Sequence, residues 1–108
     1  MDFMQMFKQF GDMKGRMDEI KQRMSKMRIV GESGAGMVKV TVNGDGQVLK
    51  VDIDRAMLAP EDNEMLEELI VSAVNDAVNR AREALAHEMK SLTGGMNIPG
   101  LEKLLGGL

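Results

Sequence analysis

The chain has 108 residues and no cysteine, so one domain of common size is expected, and disulfides, thiolate metal sites and cysteine nucleophiles are excluded. Its 29% charged and 44% hydrophobic residues are typical of a soluble globular domain, and no apolar run approaches the ~20 residues of a membrane span. The net charge of −3 is uneven: residues 1–30 carry seven basic and four acidic side chains, a net of +3, which leaves −6 for the rest. This asymmetry predicts a basic arm on an acidic body.

The first segment predicts a long amphipathic helix over residues 3–27. Its apolar residues, here called the apolar stripe, alternate in steps of three and four over about four heptads: Phe3, Met6, Phe10, Met13, Met17, Ile20, Met24 and Met27. This spacing is typical of a helix that packs along its length against another helix. At ~1.5 Å per residue the helix is too long to be buried on so small a domain, so part of it is expected to project or to pair with a second copy.

Basic side chains flank the apolar stripe on both sides. When Phe3 is placed at heptad position a, Lys14, Lys21 and Arg28 fall at position e. Arg16 and Arg23 fall at position g. Two such helices lying parallel and in register would bring like charges together. Either an acidic partner helix or a ligand outside the protein is therefore expected to meet these flanks, and a solvated helix surface is the plainer alternative.

Three strands are expected next, over about residues 28–34, 36–43 and 47–54. Val38, Val40 and Val42 alternate with Lys39 and Thr41, as in a half-buried strand. The NGDG segment that follows, residues 43–46, predicts a hairpin turn because Asn, Asp and Gly tolerate positive φ. A similar alternation then continues through Leu49, Val51 and Ile53.

The segment GESGAG, residues 31–36, raises the question of a phosphate-binding loop. Such a loop requires Gly-Lys-Ser/Thr at its end and a helix after it, whereas here a strand follows. Gly31, Gly34 and Gly36 are therefore expected to form the bend between the first two strands.

A second helix is expected over residues 62–91, with Asp62 as its N-cap. The alanines of its apolar stripe, Ala73, Ala77 and Ala81, permit close approach to the sheet or to another helix. Residues 1–93 then form one domain of the α+β class in the order α-β-β-β-α, with a three-stranded antiparallel sheet, and residues 94–108 form a glycine-rich tail expected to be mobile. These elements leave more apolar surface than one chain covers, so a homodimer is expected.

No catalytic constellation is visible. His87 is the only histidine, and Asp52 and Asp54 offer two carboxylates without further metal ligands. The chain is therefore interpreted as a non-enzyme with no cofactor, no metal and no small-molecule substrate.

The blocks GESGAGMVKVTVNG and PEDNEMLEELIVSAVNDAVNRA, with the strand end VDID and the TGG-PG tail, resemble the YbaB/EbfC family of nucleoid-associated proteins. The resemblance implies a homodimer whose helices project like the arms of a tweezer. It also implies a cytoplasmic, nucleoid-associated protein that binds DNA with little sequence specificity and does not act at a membrane.

Carried onto this chain, the resemblance implies that basic residues of the projecting helices face DNA. The first candidates lie on the first helix and just after it, and a second group lies on the second helix: Lys14, Arg16, Lys21, Arg23, Lys26 and Arg28, then Arg80, Arg82 and Lys90. The absence of tyrosine and tryptophan disfavours single-strand recognition by stacking, so double-stranded DNA is the expected partner. The alternative is a protein-interaction adaptor that binds partner helices along the methionine-rich stripe without contacting DNA.

Overall fold

The computed structural model describes residues 3–57 and 59–92 of the chain. In chain order it contains α1 (Phe3–Lys26), β1 (Ile29–Ser33), β2 (Val38–Val42), β3 (Val48–Ile53), a 3-10 helix (Arg55–Met57) and α2 (Asn63–Leu92). The predicted α-β-β-β-α order and the α+β class are confirmed, and each helix and strand begins and ends within two residues of its expected bounds. The predicted tail, residues 94–108, lies outside the described residues.

The sheet is antiparallel with β2 in the centre, in the order β1-β2-β3. Val40 lies opposite Gly31 of β1 and opposite Val51 of β3, and the pairing with β3 shifts register at Thr41 and Val42. The three inward-facing valines of β2 are fully buried, which the alternating sequence predicts.

Helix α2 packs over β1 and β2 through its small residues. Ala73, Ala77 and Ala81 are buried against the valines of β2. The backbones approach so closely that a Cβ on Gly31 would lie 2.2 Å from the Ala77 nitrogen. Gly31 therefore serves helix packing inside β1, and the expectation that it helps to form the bend is wrong.

The bend itself uses residues 34–37, immediately after β1. Gly34, Ala35 and Gly36 all have positive φ, at 61°, 55° and 88°. Two of the three predicted glycines thus meet a real backbone requirement, because left-handed conformations cost little without a Cβ.

The predicted hairpin turn, residues 43–46, joins β2 to β3, but most of its residues do not adopt positive φ. Only Gly46 has positive φ, at 84°, whereas Asn43 and Asp45 do not. Asn43 is buried, and its Oδ1 accepts hydrogen bonds from the backbone N–H groups of Asp45 and Gln47, both at 3.0 Å. The Asn43 side chain therefore adds two hydrogen bonds to the two that the loop backbone makes itself, from Asn43 N–H to the Gln47 carbonyl and from Gly46 N–H to the Asn43 carbonyl.

Strand β3 forms an edge whose apolar side chains remain open. Helix α2 lies over β1 and β2, and Val48, Leu49 and Val51 are 49%, 46% and 41% exposed. The half-buried alternation predicted for this strand is thus only partly realised within one chain, with Ile53 as its partly buried member.

Helix α1 is anchored only near its C-terminal end. Ile20 and Met24 are its buried residues, and the backbone N–H of Gly44 donates to the Met24 carbonyl at 2.7 Å. Residues 3–16, here called the arm, are exposed throughout. The described molecule is accordingly elongated, with extents of 69 × 26 × 17 Å.

Candidate nucleic-acid interface

The predicted basic residues of α1 fall on two flanks of the apolar stripe. Residues seven apart lie on the same side of a helix, about two turns and ~10 Å from each other. Lys14 and Lys21 form one flank, and Arg16 and Arg23 form the other, and all four are exposed. The sequence-predicted set is therefore divided by the helix rather than gathered in one patch.

The arginine flank faces the C-terminal end of α2. The guanidinium of Arg23 contacts the Glu88 carboxylate at 2.7 Å. A shallow groove beside this ion pair is lined by Arg16, Glu19, Ile20 and Arg23 of α1 and by the last two residues of α2. Because Glu88 compensates its charge, Arg23 offers less attraction to a phosphate than an unpaired arginine would.

Asp18 lies one helical turn from both residues of the lysine flank, four positions after Lys14 and three before Lys21. Among the described residues, neither Lys14 nor Lys21 makes a hydrogen bond or an ion pair. Their ammonium groups sit on long flexible stems and can each meet a phosphate without a fixed geometry. This flank is the best-placed basic surface on α1.

Two further candidates lie at the junction of α1 and β1. Lys26 is exposed in the last turn of the helix. Arg28 donates to the carbonyl oxygens of Lys26 and Met27, at 3.2 Å and 2.9 Å. Arg28 thus satisfies unpaired carbonyls at the helix C-terminus, which explains its position structurally.

The candidates on α2 do not converge on one site. Arg80 bonds the Asp76 carboxylate at 3.2 Å, and Arg82, two residues on, lies on a different side of the helix. Lys90 is exposed in the last turn of α2. Arg80 is thus engaged with an acidic neighbour on its own helix.

Asp76 connects α2 to the sheet electrostatically. Its carboxylate accepts the backbone N–H of Glu32 at 3.0 Å and also the Arg80 guanidinium. The pKa of Asp76 is held below its ordinary value, first by the Glu32 hydrogen bond and then by Arg80, against the opposing effect of burial.

The remaining lysines of the sheet and the arm do not belong to the predicted set of DNA-binding residues. Lys39 lies opposite Glu32 and Asp52 in the sheet register, and Lys50 contacts Asp52 at 3.2 Å. Lys8 is exposed on the arm, although it does not belong to the predicted set. Its place on the arm, on the face opposite the stripe, is readable from the same periodicity.

The described part of the chain contains neither a metal-binding cluster nor a membrane-spanning helix. In residues 3–57 and 59–92, no cluster of three or more His, Asp or Glu side chains is placed to hold a metal ion. Within those residues, no helix is both long and apolar enough to span a bilayer.

Comparison with known proteins identifies a family and similar relatives. Residues 1–96 match the YbaB/EbfC DNA-binding family. A nucleoid-associated protein of Desulfotalea psychrophila is 41% identical over 105 residues, covering 97% of this chain and 99% of that one. A nucleoid-associated protein of Afipia carboxidovorans is 39% identical over 100 residues, covering 93% and 95%.

A solved structure is similar as well. The crystal structure of an uncharacterized protein from Helicobacter pylori matches with a TM-score of 0.67 at 34% sequence identity. The match covers 82% of this chain and 97% of the other.

Proposed function

Because the chain belongs to the YbaB/EbfC DNA-binding family, we propose that it is a non-enzymatic protein of the bacterial nucleoid that binds duplex DNA as a homodimer, with little sequence specificity. The observation that carries the assignment to particular residues is that the lysine flank, Lys14 and Lys21, is exposed on α1 and forms no ion pair among the described residues. Relatives about 40% identical over nearly their whole length are named nucleoid-associated proteins, which supports a cytoplasmic location at the nucleoid.

The type of side chain supports backbone contact over base reading. Lysine meets a phosphate as a point charge, whereas base edges are read by groups with fixed donor and acceptor geometry. The chain has no tyrosine or tryptophan for stacking on unpaired bases. Phosphates of a duplex are thus the partner that the flank fits best.

A homodimer would account for two features of the single chain. The second copy would cover the exposed apolar residues on the inner face of β3, and each dimer would carry two basic arms. Since a dimer carries a formal charge of −6, attraction to DNA has to come from the arms locally. Binding is therefore expected to be salt-sensitive, because each phosphate contact releases condensed counterions.

Duplex binding across a salt series tests the proposal. The variant Lys14→Gln/Lys21→Gln is compared with Lys39→Gln/Lys50→Gln, which removes the same charge from the sheet. The Lys14→Gln/Lys21→Gln variant should bind more weakly, and its log–log salt slope should be shallower by about 0.9 for each phosphate that it no longer neutralises. The sheet variant should retain the parent slope.

Equal slopes for the parent and the Lys14→Gln/Lys21→Gln variant would contradict the role of these two lysines. Binding that is absent even for the parent at ~50 mM salt would contradict direct DNA binding as a whole. A duplex series of differing sequence but equal length checks specificity, and the affinities should agree within about tenfold.

A further inference from the structure

The tip of the arm carries a broad apolar face that no described residue covers. The three phenylalanines of this face are 66–71% exposed, and its methionines are exposed as well. The face consists of Phe3, Met4, Met6, Phe7, Phe10 and Met13. The rings of Phe3 and Phe7 meet edge to face with centroids 5.0 Å apart, which widens the stripe on one side. Contiguous exposed apolar surface of this kind marks an interaction site.

We propose that this face binds a second copy of itself: the tips of two arms from different dimers pair antiparallel over residues 3–13. In an antiparallel helix pair, positions a of one helix pack against positions d of the other. Phe3 of one copy then packs against Met13 of the other, and Met6 packs against Phe10. The interface uses the apolar stripe beyond the point where Ile20 and Met24 anchor it.

The charge pattern selects this partner and this direction. Within residues 3–13 the flanking positions e and g hold Phe7 and Gln9, which are uncharged, whereas beyond them these positions hold only basic residues: Lys14, Arg16, Lys21, Arg23 and Arg28. In a parallel pair, position g faces position e of the next heptad, which sets Arg16 against Lys21. In the antiparallel pair, Phe7 faces Phe7 and Gln9 faces Gln9, so the overlap ends before the basic flanks meet.

The remaining charges of the tip stay in water. Lys8 and Asp12 occupy positions f and c, on the face opposite the stripe, and both are exposed. Pairing therefore buries no unpaired charge, which is the usual obstacle to self-association of a charged helix. The overlap of eleven residues is short, so the contact gains strength where many arms are held close together along one DNA molecule.

Association without DNA and at ~1 M NaCl tests the proposal, because charge contacts are screened there and apolar contacts persist. The molar mass of the parent should rise with concentration beyond its basal assembly. The variant Phe7→Glu/Phe10→Glu should lose about tenfold or more in this association constant. Its control, Gln5→Glu/Lys8→Gln, changes the net charge equally on the opposite face and should associate like the parent.

Disulfide trapping tests the direction of pairing, since the chain has no cysteine. A mixture of tagged Phe3→Cys and untagged Met13→Cys chains should form the mixed disulfide under mild oxidation. Met13→Cys chains alone should not cross-link. A Met13–Met13 cross-link at comparable yield would indicate parallel arms and overturn the proposal.

Two other binding partners of this apolar face would give different results in these experiments. If the face inserts into DNA, Phe7→Glu/Phe10→Glu weakens duplex binding and leaves self-association unchanged, which overturns the proposal. If the chain's own residues 93–108, outside the described part, meet the arm of another copy, Leu104→Glu/Leu105→Glu in the full chain abolishes the association, which also overturns it. Circular dichroism of each variant confirms that the helices remain folded.

Discussion

Gly31 shows how one backbone position fixes the distance between α2 and the sheet. An added Cβ would lie 2.2 Å from the Ala77 nitrogen and 2.6 Å from the Ala73 oxygen, and both atoms belong to a rigid helix. We expect Gly31→Ala to lower the free energy of unfolding by about 3 kcal/mol, since α2 has to move away from β1. Gly11→Ala is the matched control: open space surrounds Gly11, and alanine should stabilise the arm by up to ~1 kcal/mol. Urea unfolding measures both changes.

Asp76 gives a prediction for acid stability. Its folded-state pKa lies below the ordinary value of 3.8, so the carboxylate stabilises the fold above that pH, and the stabilisation is lost as the pH falls below it. Asp76→Asn should therefore be less stable than the parent at pH 7, and the difference should shrink as the pH falls below 3.8. Asp12→Asn on the arm serves as the control and should not reproduce this convergence. A constant difference across the acid range would show that Asp76 contributes through shape alone.

The sequence alone does not show whether a glycine or asparagine serves a turn or a packing contact. A glycine that turns the chain and a glycine that admits a helix look alike, because the alanines against which Gly31 packs lie more than forty positions away. The NGDG pattern predicts a turn from residues that tolerate positive φ, yet Asn43 contributes through its side chain, which accepts hydrogen bonds from the loop backbone. Both roles favour the same residue types, so only the tertiary contacts separate them.

At the scale of elements, α1 divides into an anchored root, residues 17–26, and the exposed arm, residues 3–16. Met24 is 2% exposed and packs against Gly44, whereas Met13 is 50% exposed, although both belong to the same stripe. We expect Met24→Ala to cost about 3 kcal/mol of stability through reduced burial and a cavity. Met13→Ala should change it by less than about 0.5 kcal/mol. Thermal unfolding of the two variants at low protein concentration measures this contrast, and equal losses would mean that the arm is packed like the root.

The order of elements and the buried face of β2 are readable from periodicity, because alternation and heptad spacing record which side chains share a face. The point on α1 where packing stops is not readable. It depends on where α2 meets the helix, at Glu88 and the last turn, and nothing within the stripe marks that boundary. The same limit applies to the basic candidates: charge locates them, but only the fold separates Arg23, which is paired with Glu88, from Lys21, which forms no ion pair among the described residues.

At the scale of the whole molecule, the open inner face of β3 is the surface that a second copy is proposed to cover. Val51 lies opposite Val40 on this face, and α2 stops short of it. A lysine at this point would place a charge in a buried interface, where its desolvation is not compensated. We therefore expect Val51→Lys to shift the assembly toward monomers and to abolish the dependence of the melting temperature on protein concentration.

Val30 supplies the control for this prediction because it differs from Val51 mainly in its face. It is 47% exposed on the same sheet, but it precedes Gly31 and so points away from α2. Val30→Lys adds the same charge to a strand of similar exposure and should leave the molar mass unchanged in light scattering. If Val30→Lys dissociates the assembly while Val51→Lys does not, the two copies meet across the outer face of the sheet. The arms would then be separated by a different distance, and the spacing of their DNA contacts would change with it.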